Sequence, residues 1–224
     1  GRVAPARQVR LGYRVLIALT AAMYLLQVGV ADPPIFLQQL LLVGSSAGIQ
    51  LVFPIVTLKI FDLFPQASFH LQDLEMSYAT GRHMATGHFA YAYEVEEVVG
   101  MVRRVYQGRV AFHDGDAEIA PGLTVHHIGG HTLGLQSVRV WTRVGWVVLA
   151  SDASHYYANM EEDRPFPIVV DVARMADGWR KLRALASAPQ HVVPGHDPLV
   201  MQRYRAPRPD LEGIAVRLDD EPRA

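Results

Sequence analysis

The sequence contains no cysteine in its 224 residues. This absence excludes disulfides, thiolate-bound zinc and cysteine nucleophiles. A basic stripe is also missing, because 21 Lys and Arg are balanced by 22 Asp and Glu, and neither half of the chain collects the positive charge that a nucleic-acid surface requires. We therefore predict no nucleic-acid partner. Any metal must be held by carboxylates and by some of the ten histidines.

Charge is nearly absent from the first quarter of the chain. Residues 15–31 carry no charged side chain, and none occurs between Asp32 and Lys59. Residues 1–64 hold five basic and two acidic residues, a net charge of +3, which leaves −4 for the remainder. Each uncharged run is about as long as the roughly 20 residues that cross a bilayer.

This block predicts a hydrophobic helical hairpin over residues 15–58. Gly, Ser and Pro interrupt its second run, as is typical of transmembrane helices. Four Arg precede the first run and Lys59 follows the second, so both ends are expected on the cytoplasmic side. We expect a cytoplasmic protein that this hairpin anchors at the inner membrane. The alternative is a buried hairpin of a soluble domain; the absence of an amphipathic stripe favours the membrane.

The stretches at residues 48–54 and 61–65 resemble two consecutive helices of major-facilitator drug-efflux transporters. A hairpin alone could not transport, since it lacks a pathway and its symmetry mates. Near residues 63–67 the apolar block gives way to ordinary α/β sequence. We therefore divide the chain into a hydrophobic helical segment (1–64), an α/β unit (65–205) and a polar tail (206–224), and we interpret the whole as chimeric.

The α/β unit predicts several short strands and two longer helices. Strands are expected at residues 68–72, 109–112, 117–120, 123–128, 136–142, 146–150 and 191–193, from alternation or apolar runs bounded by turn residues. The first helix has apolar residues at helical spacing and ends before Gly108. Asp73 and Asp171 are the expected N-caps. The predicted apolar faces are Val95, Val98, Val99, Val102 and Tyr106 in one helix, and Val172, Met175, Trp179, Leu182 and Leu185 in the other.

Three turns place a metal-binding side chain directly after an apolar strand. His131 follows Gly129 and Gly130, which allow a sharp backbone turn. Asp152 ends a buried strand, where a carboxylate is costly unless it is paired or binds a cation. His196 follows the last strand in a Pro-Gly-His-Asp turn. One metal-binding side chain in such a turn is common in proteins, but three in this order are a more specific indication of a metal site.

In this order and spacing, the three turns resemble the C-terminal half of the metallo-β-lactamase superfamily, in particular its N-acyl-homoserine lactonases, over residues 65–205. The resemblance implies half of an αβ/βα sandwich and up to two zinc ions. It also implies that His131 binds one metal, that Asp152 bridges both and that His196 binds the second. The implied activity is hydrolysis of a small-molecule lactone or ester, which in this branch is quorum quenching.

The sequence departs from that pattern in two places. The upstream His-x-His-x-Asp-His motif occurs nowhere in the chain. In the family, a Tyr three residues after the bridging Asp assists the leaving group, but this chain has His155 at that position. The neighbouring Tyr156 is therefore the catalytic candidate beside Asp152. An equally good interpretation is that Tyr156 and Tyr157 only line the pocket. Other histidines that can be recruited as ligands are His70, His126, His127 and His155.

Three ligands shared between two zinc ions fall short of the roughly three per ion that catalysis requires. We therefore expect weak metal affinity and impaired turnover. Three hypotheses follow: a lactonase-type metallo-hydrolase, a catalytically inactive membrane-anchored fragment, and a binding module that kept the fold but not the metals.

Overall fold

The computed structural model describes residues 66–91 and 93–223. The predicted hairpin at 15–58, the transporter-like stretches and the junction up to residue 65 lie outside these ranges. Within them, none of the helices combines the length and the apolar character needed to cross a bilayer.

The described residues contain seven β-strands and six α-helices, with three short 3₁₀ segments between them. In chain order they are β1 (Phe69–Gln72), α1 (Asp73–Ala79), α2 (Gly87–Ala90), α3 (Val95–Tyr106), β2 (Val110–His113), β3 (Ala117–Ala120), β4 (Leu123–His127), β5 (Gln136–Thr142), β6 (Gly145–Ser151), α4 (Tyr157–Glu161), α5 (Val172–Leu185), β7 (Val192–Pro194) and α6 (Leu199–Arg203).

The strands form two sheets of unequal size. β1 and β2 pair in parallel as a two-stranded sheet. The larger sheet has the order β3-β4-β5-β6-β7. Its first four strands are antiparallel neighbours, and β7 joins β6 in parallel. The long connection through α5 allows that parallel pairing, which a tight turn could not make.

The core lies between the larger sheet and α5. Met175, Trp179 and Leu182 are buried on one side of this helix, as are Val148 and Val192 on the central strands. Burial of aliphatic side chains at roughly 25 cal/mol per Å² is the main stabilising contribution here. Val216 and Leu218 of the C-terminal segment pack against this core. The predicted α/β class is confirmed for the described residues.

Most predicted elements agree with the structure to within one or two residues, but some details were wrong. Val95 and Tyr106 are 71% and 90% exposed, because they lie at the two ends of α3, where none of the other described elements covers them. Val172 is likewise half exposed in the first turn of α5. Asp73 is the first residue of α1 rather than its cap, whereas Asp171 caps α5 by accepting a hydrogen bond from the Arg174 amide at 3.0 Å.

Candidate metal centre

The ends of three strands meet at one edge of the larger sheet. β4 and β6 are each antiparallel to β5, and β7 is parallel to β6, so all three run in the same direction. Their carboxyl ends therefore lie together. The residues that follow them are His131, Asp152 and His196, and the sheet topology brings these three side chains into one neighbourhood.

The loop that carries His131 is held close to the start of α5. Gly129 and Gly130 have φ values of 74° and 94°, a region that side chains disfavour. A Cβ on Gly130 would lie 2.7 Å from Met175 Cα. The Gly130 carbonyl accepts hydrogen bonds from the Val170 and Asp171 amides at 2.9 and 3.0 Å. The two glycines thus permit the close approach that fixes the His131 backbone.

The His131 ring is oriented by a backbone carbonyl. Nδ1 lies 2.6 Å from the Ile168 oxygen, so Nδ1–H donates and Nε2 is the ring atom that faces the centre. Nε2 lies 3.8 Å from Asp152 Oδ2, a spacing at which both atoms could contact one cation. A second hydrogen bond of this kind is usual in metal-binding histidines.

His196 contacts the other carboxylate oxygen. Its Nε2 lies 2.5 Å from Asp152 Oδ1. The approach of the two turns depends on Gly195, where a Cβ would be 2.7 Å from the Ser151 oxygen. Ser151 itself has a φ of 52°. Asp152 is thereby presented at the end of β6 with His196 beside it.

His155 also points at Asp152. Its Nε2 lies 3.7 Å from Asp152 Oδ1, and its ring stacks on Phe166 with centroids 3.7 Å apart. The potential ligand atoms of His131, Asp152 and His155 all lie within 4.8 Å of one another. Of the four extra histidines named from the sequence as recruitable, His155 is the one that this centre includes.

Burial and charge set the ionisation of the site. Burial would raise the pKa of Asp152, but the hydrogen bond from His196 and the nearby imidazoles outweigh it, so the pKa lies below its usual value. Burial lowers the pKa of His155 to about 4 against the opposing effect of Asp152. At neutral pH the site therefore presents an ionised carboxylate and a neutral His155 ring, the forms that bind metals.

The other candidate histidines have structural partners elsewhere. His126 Nδ1 lies 2.8 Å from Asp116 Oδ2, and His127 Nε2 lies 2.8 Å from the Leu133 oxygen. His70 Nδ1 lies 2.9 Å from His113 Nε2 in the small sheet. Tyr156 is 48% exposed and begins α4, where its amide donates to Asn159 Oδ1.

Three groups that orient or contact the residues of the centre could not be predicted from the sequence. Phe166 and the Ile168 carbonyl come from the loop between α4 and α5, which has no recognisable motif. Glu75 in α1 accepts hydrogen bonds from Thr132 Oγ1 and the Gly134 amide at 2.7 and 2.8 Å and from the Tyr93 hydroxyl. His155, by contrast, has a visible signal, since it lies three residues after Asp152.

Comparison with known proteins relates the chain to lactonases. No protein-family model matches it. An N-acyl homoserine lactonase from Bacillus sp is 43% identical over 54 residues, 24% of this chain and 22% of that protein. The crystal structure of a quorum-quenching N-acyl homoserine lactone hydrolase superimposes with a TM-score of 0.50 and 23% identity, over 63% of this chain and 53% of that one. A dizinc quorum-quenching lactonase matches with a TM-score of 0.46 and 18% identity over 60% of this chain and 49% of that one.

The likeness establishes the class of fold. The described residues have an α/β architecture that matches the metallo-β-lactamase fold of these lactonases. The chain spans about half the length of the solved lactonase structures that it matches. The comparisons lend no support to the transporter-like resemblance of the N-terminal block.

Proposed function

We propose that this chain is a metal-dependent hydrolase of the lactonase type, acting on a small-molecule lactone or ester. One observation carries the proposal: His131 Nε2, whose ring donates through Nδ1 to Ile168, faces an Asp152 oxygen at 3.8 Å. With His155, these two groups bring three potential ligand atoms within 4.8 Å of one another, as the binding of one cation requires. The named activities of the similar proteins, lactonase and lactone hydrolase, supply the substrate class.

The residues at the sheet edge fit a divalent metal. Imidazole and carboxylate are ligands that suit zinc, and His131, Asp152 and His196 are the ligands that the sequence pattern proposes. A bound zinc ion supplies Lewis-acid activation of a carbonyl group and of water. Asp152 and His131 would hold that cation, and Phe166 stacks on the neighbouring His155 ring.

Tyr156 is the proposed proton donor to the leaving group. In lactone hydrolysis the oxygen of water bonds to the acyl carbon and the ring C–O bond breaks. One proton of the water stays with the product acid, and the other replaces the proton that the tyrosine gives to the departing alkoxide. Tyr156 is half-exposed and lies four residues after Asp152, and its hydroxyl is the group that we propose for this step. Asp152 and Tyr156 are thus the two catalytic candidates.

The alternative function is a catalytically inactive fragment or a binding module. The cavity that borders His131 in the described residues has a volume of about 10 Å³, room for roughly one water molecule. The lining of this cavity includes Phe89 and Ile168 but not Asp152, His155 or His196. The absence of the His-x-His-x-Asp-His motif from the sequence is what favours the inactive alternative.

Zinc-dependent hydrolysis of an N-acyl-homoserine lactone tests the proposal. We expect slow acid release that requires added zinc, stops with a chelator and is lost in Asp152→Ala. The matched control is Asp177→Ala, whose side chain is 66% exposed on α5 and should leave the rate unchanged. Rapid turnover that survives both the chelator and Asp152→Ala would contradict a metallo-hydrolase.

A further inference from the structure

We infer that the chain binds a single divalent metal ion through His131, Asp152 and His155, and that His196 positions Asp152 instead of binding the metal. The inference deepens the proposed function, on which it rests. It replaces the two-ion assignment that the sequence resemblance implies. The sequence names His155 only as one of four histidines that can be recruited; the geometry places it in the centre.

The distances from the Asp152 carboxylate oxygens distinguish the metal-binding histidines from the histidine that positions Asp152. Zinc bonds of roughly 2.0–2.2 Å at tetrahedral angles keep ligand atoms about 3.3–3.6 Å apart. His131 Nε2 and His155 Nε2 lie 3.8 and 3.7 Å from the Asp152 carboxylate oxygens, so small shifts bring them to that spacing. These three residues also meet the condition that every pair of ligand atoms lies within 4.8 Å.

His196 lies too close to Asp152 to share an ion with it in that geometry. Its Nε2 is 2.5 Å from Asp152 Oδ1, a hydrogen-bond distance in which Nε2–H donates to the carboxylate. This spacing is well below the roughly 3.3–3.6 Å that separates two ligand atoms of one zinc ion. Hydrogen bonds from outside the ligand set orient a binding carboxylate, and His196 performs that role here.

The backbone fixes His155 in the position of a ligand. The Ser154 and His155 carbonyls accept from the Gly195 and His196 amides, each at 2.9 Å. The Trp179 indole donates to the Ala153 carbonyl at 2.8 Å. The turn after Asp152 is therefore held on both sides, and the His155 ring stacked on Phe166 keeps one orientation.

Two histidines, one carboxylate and an open position form a recognised catalytic zinc set. The Asp152 carboxylate supplies one negative charge to the site, which suits one divalent ion better than two. A chain without the upstream His cluster thereby recovers three protein ligands. The replacement of the family's Tyr by His155 provides the third.

Metal titration of the full chain and two matched variants tests this inference. Calorimetry with Zn²⁺ should give one site per chain. His155→Gln should weaken zinc binding by more than about 100-fold, since a ligand is lost, whereas His196→Gln should weaken it by about 10- to 100-fold, the usual effect of a residue outside the ligand set. With Co²⁺, His196→Gln should keep the wild-type visible absorption bands, and His155→Gln should not.

A measurement on the unaltered chain covers the case in which a variant fails to fold. In the Co²⁺ form, paramagnetically shifted imidazole resonances should count two histidines on the metal. Two ions per chain, three shifted histidines, or a His155→Gln variant with unchanged affinity and spectrum would each overturn the inference. Zinc-dependent lactone hydrolysis that is unaffected by His155→Gln would support the proposed function but contradict the role of His155 as a ligand. Tight zinc binding through these three residues without hydrolysis would support the metal site but contradict the proposed function.

Discussion

At the scale of single residues, the centre depends on a few positions where a side chain is either essential or forbidden. Asp152 is essential, because its two oxygens face His131 on one side and His196 and His155 on the other. Gly195 cannot carry a side chain, since the backbone at the end of β6 lies in contact with it. The turn after β6 and the turn after β7 must approach closely at Gly195 for Asp152 to contact His196.

Gly195→Ala should therefore separate the two turns. Its new Cβ would lie 2.7 Å from the Ser151 oxygen and 3.3 Å from Asp152 Oδ1, and backbone atoms cannot yield as a flexible side chain does. We expect a loss of about 1–3 kcal/mol in the free energy of unfolding, as for other overpacked sites, together with weaker zinc binding. Urea unfolding and zinc titration measure the two effects.

Gly87→Ala is the matched control for that substitution. Among the described residues, no atom outside its own helix lies within 4 Å of the added Cβ, and the residue begins α2, so the stability of the variant should differ little from that of the unaltered chain. An equal loss of stability in both variants would contradict the steric argument. Unchanged zinc affinity in Gly195→Ala would show that the approach of the turns does not matter for the centre.

At the scale of elements, α1 holds the loop that carries His131. Glu75 in this helix accepts hydrogen bonds from Thr132, Gly134 and Tyr93. A Cβ on Gly134 would lie 2.2 Å from the Glu75 amide nitrogen, which shows how closely the loop approaches the helix. The loop is thus fixed from two directions, by α1 and by the start of α5.

Glu75→Gln should loosen this loop. Glu75 Oε2 accepts from Thr132 and Gly134, and Oε1 accepts from Tyr93. The Gln amide offers one acceptor and one donor, and its hydrogen bonds to the loop lack the charge of the carboxylate, so they are weaker. We expect a loss of about 1–3 kcal/mol in stability and faster hydrogen exchange at the Gly134 amide. Asp73→Asn, on the exposed side of α1, is the control, and undiminished protection of Gly134 in Glu75→Gln would contradict the role assigned to α1.

The elements themselves were largely predictable. Alternating side chains gave β3 and β5 their observed bounds, and Asp171 was recognised as a cap because its carboxylate can accept from an amide three residues on. The faces of α3 and α5 were less predictable: Val95 and Val172 fit the helical period, but periodicity does not report which turns another element covers. Contacts between loops, such as His155 with Phe166, depend on the tertiary fold and leave no local pattern.

At the scale of the whole molecule, the described residues form half of a layered sandwich that is closed by polar contacts between its layers. Asp116, ahead of β3, receives a hydrogen bond from Lys181 of α5 at 2.7 Å and lies 2.8 Å from His126 of β4. Lys181 also donates to the His127 carbonyl at 2.9 Å. One carboxylate therefore links a loop, the sheet and the helix layer.

Asp116 should make global stability depend on pH in the acid range. Burial would raise its pKa, but the hydrogen bonds and charges of Lys181 and His126 lower it below the usual value. A folded-state pKa below the unfolded one, near 3.9, means that the carboxylate stabilises the fold above that pH and that this stabilisation is lost as the pH falls through the folded pKa.

Asp116→Asn should therefore cost stability at pH 7 and progressively less below pH ~4. The side chain is 43% exposed, so screening by solvent limits the expected loss to about 1 kcal/mol. Urea unfolding of both proteins at a series of pH values measures the difference, with Asp177→Asn, an exposed position on the helix that carries Lys181, as the control. If the difference in the free energy of unfolding between the two proteins stays constant from pH 7 to pH 3, the charge of the Asp116 carboxylate does not stabilise the contact between the sheet and α5.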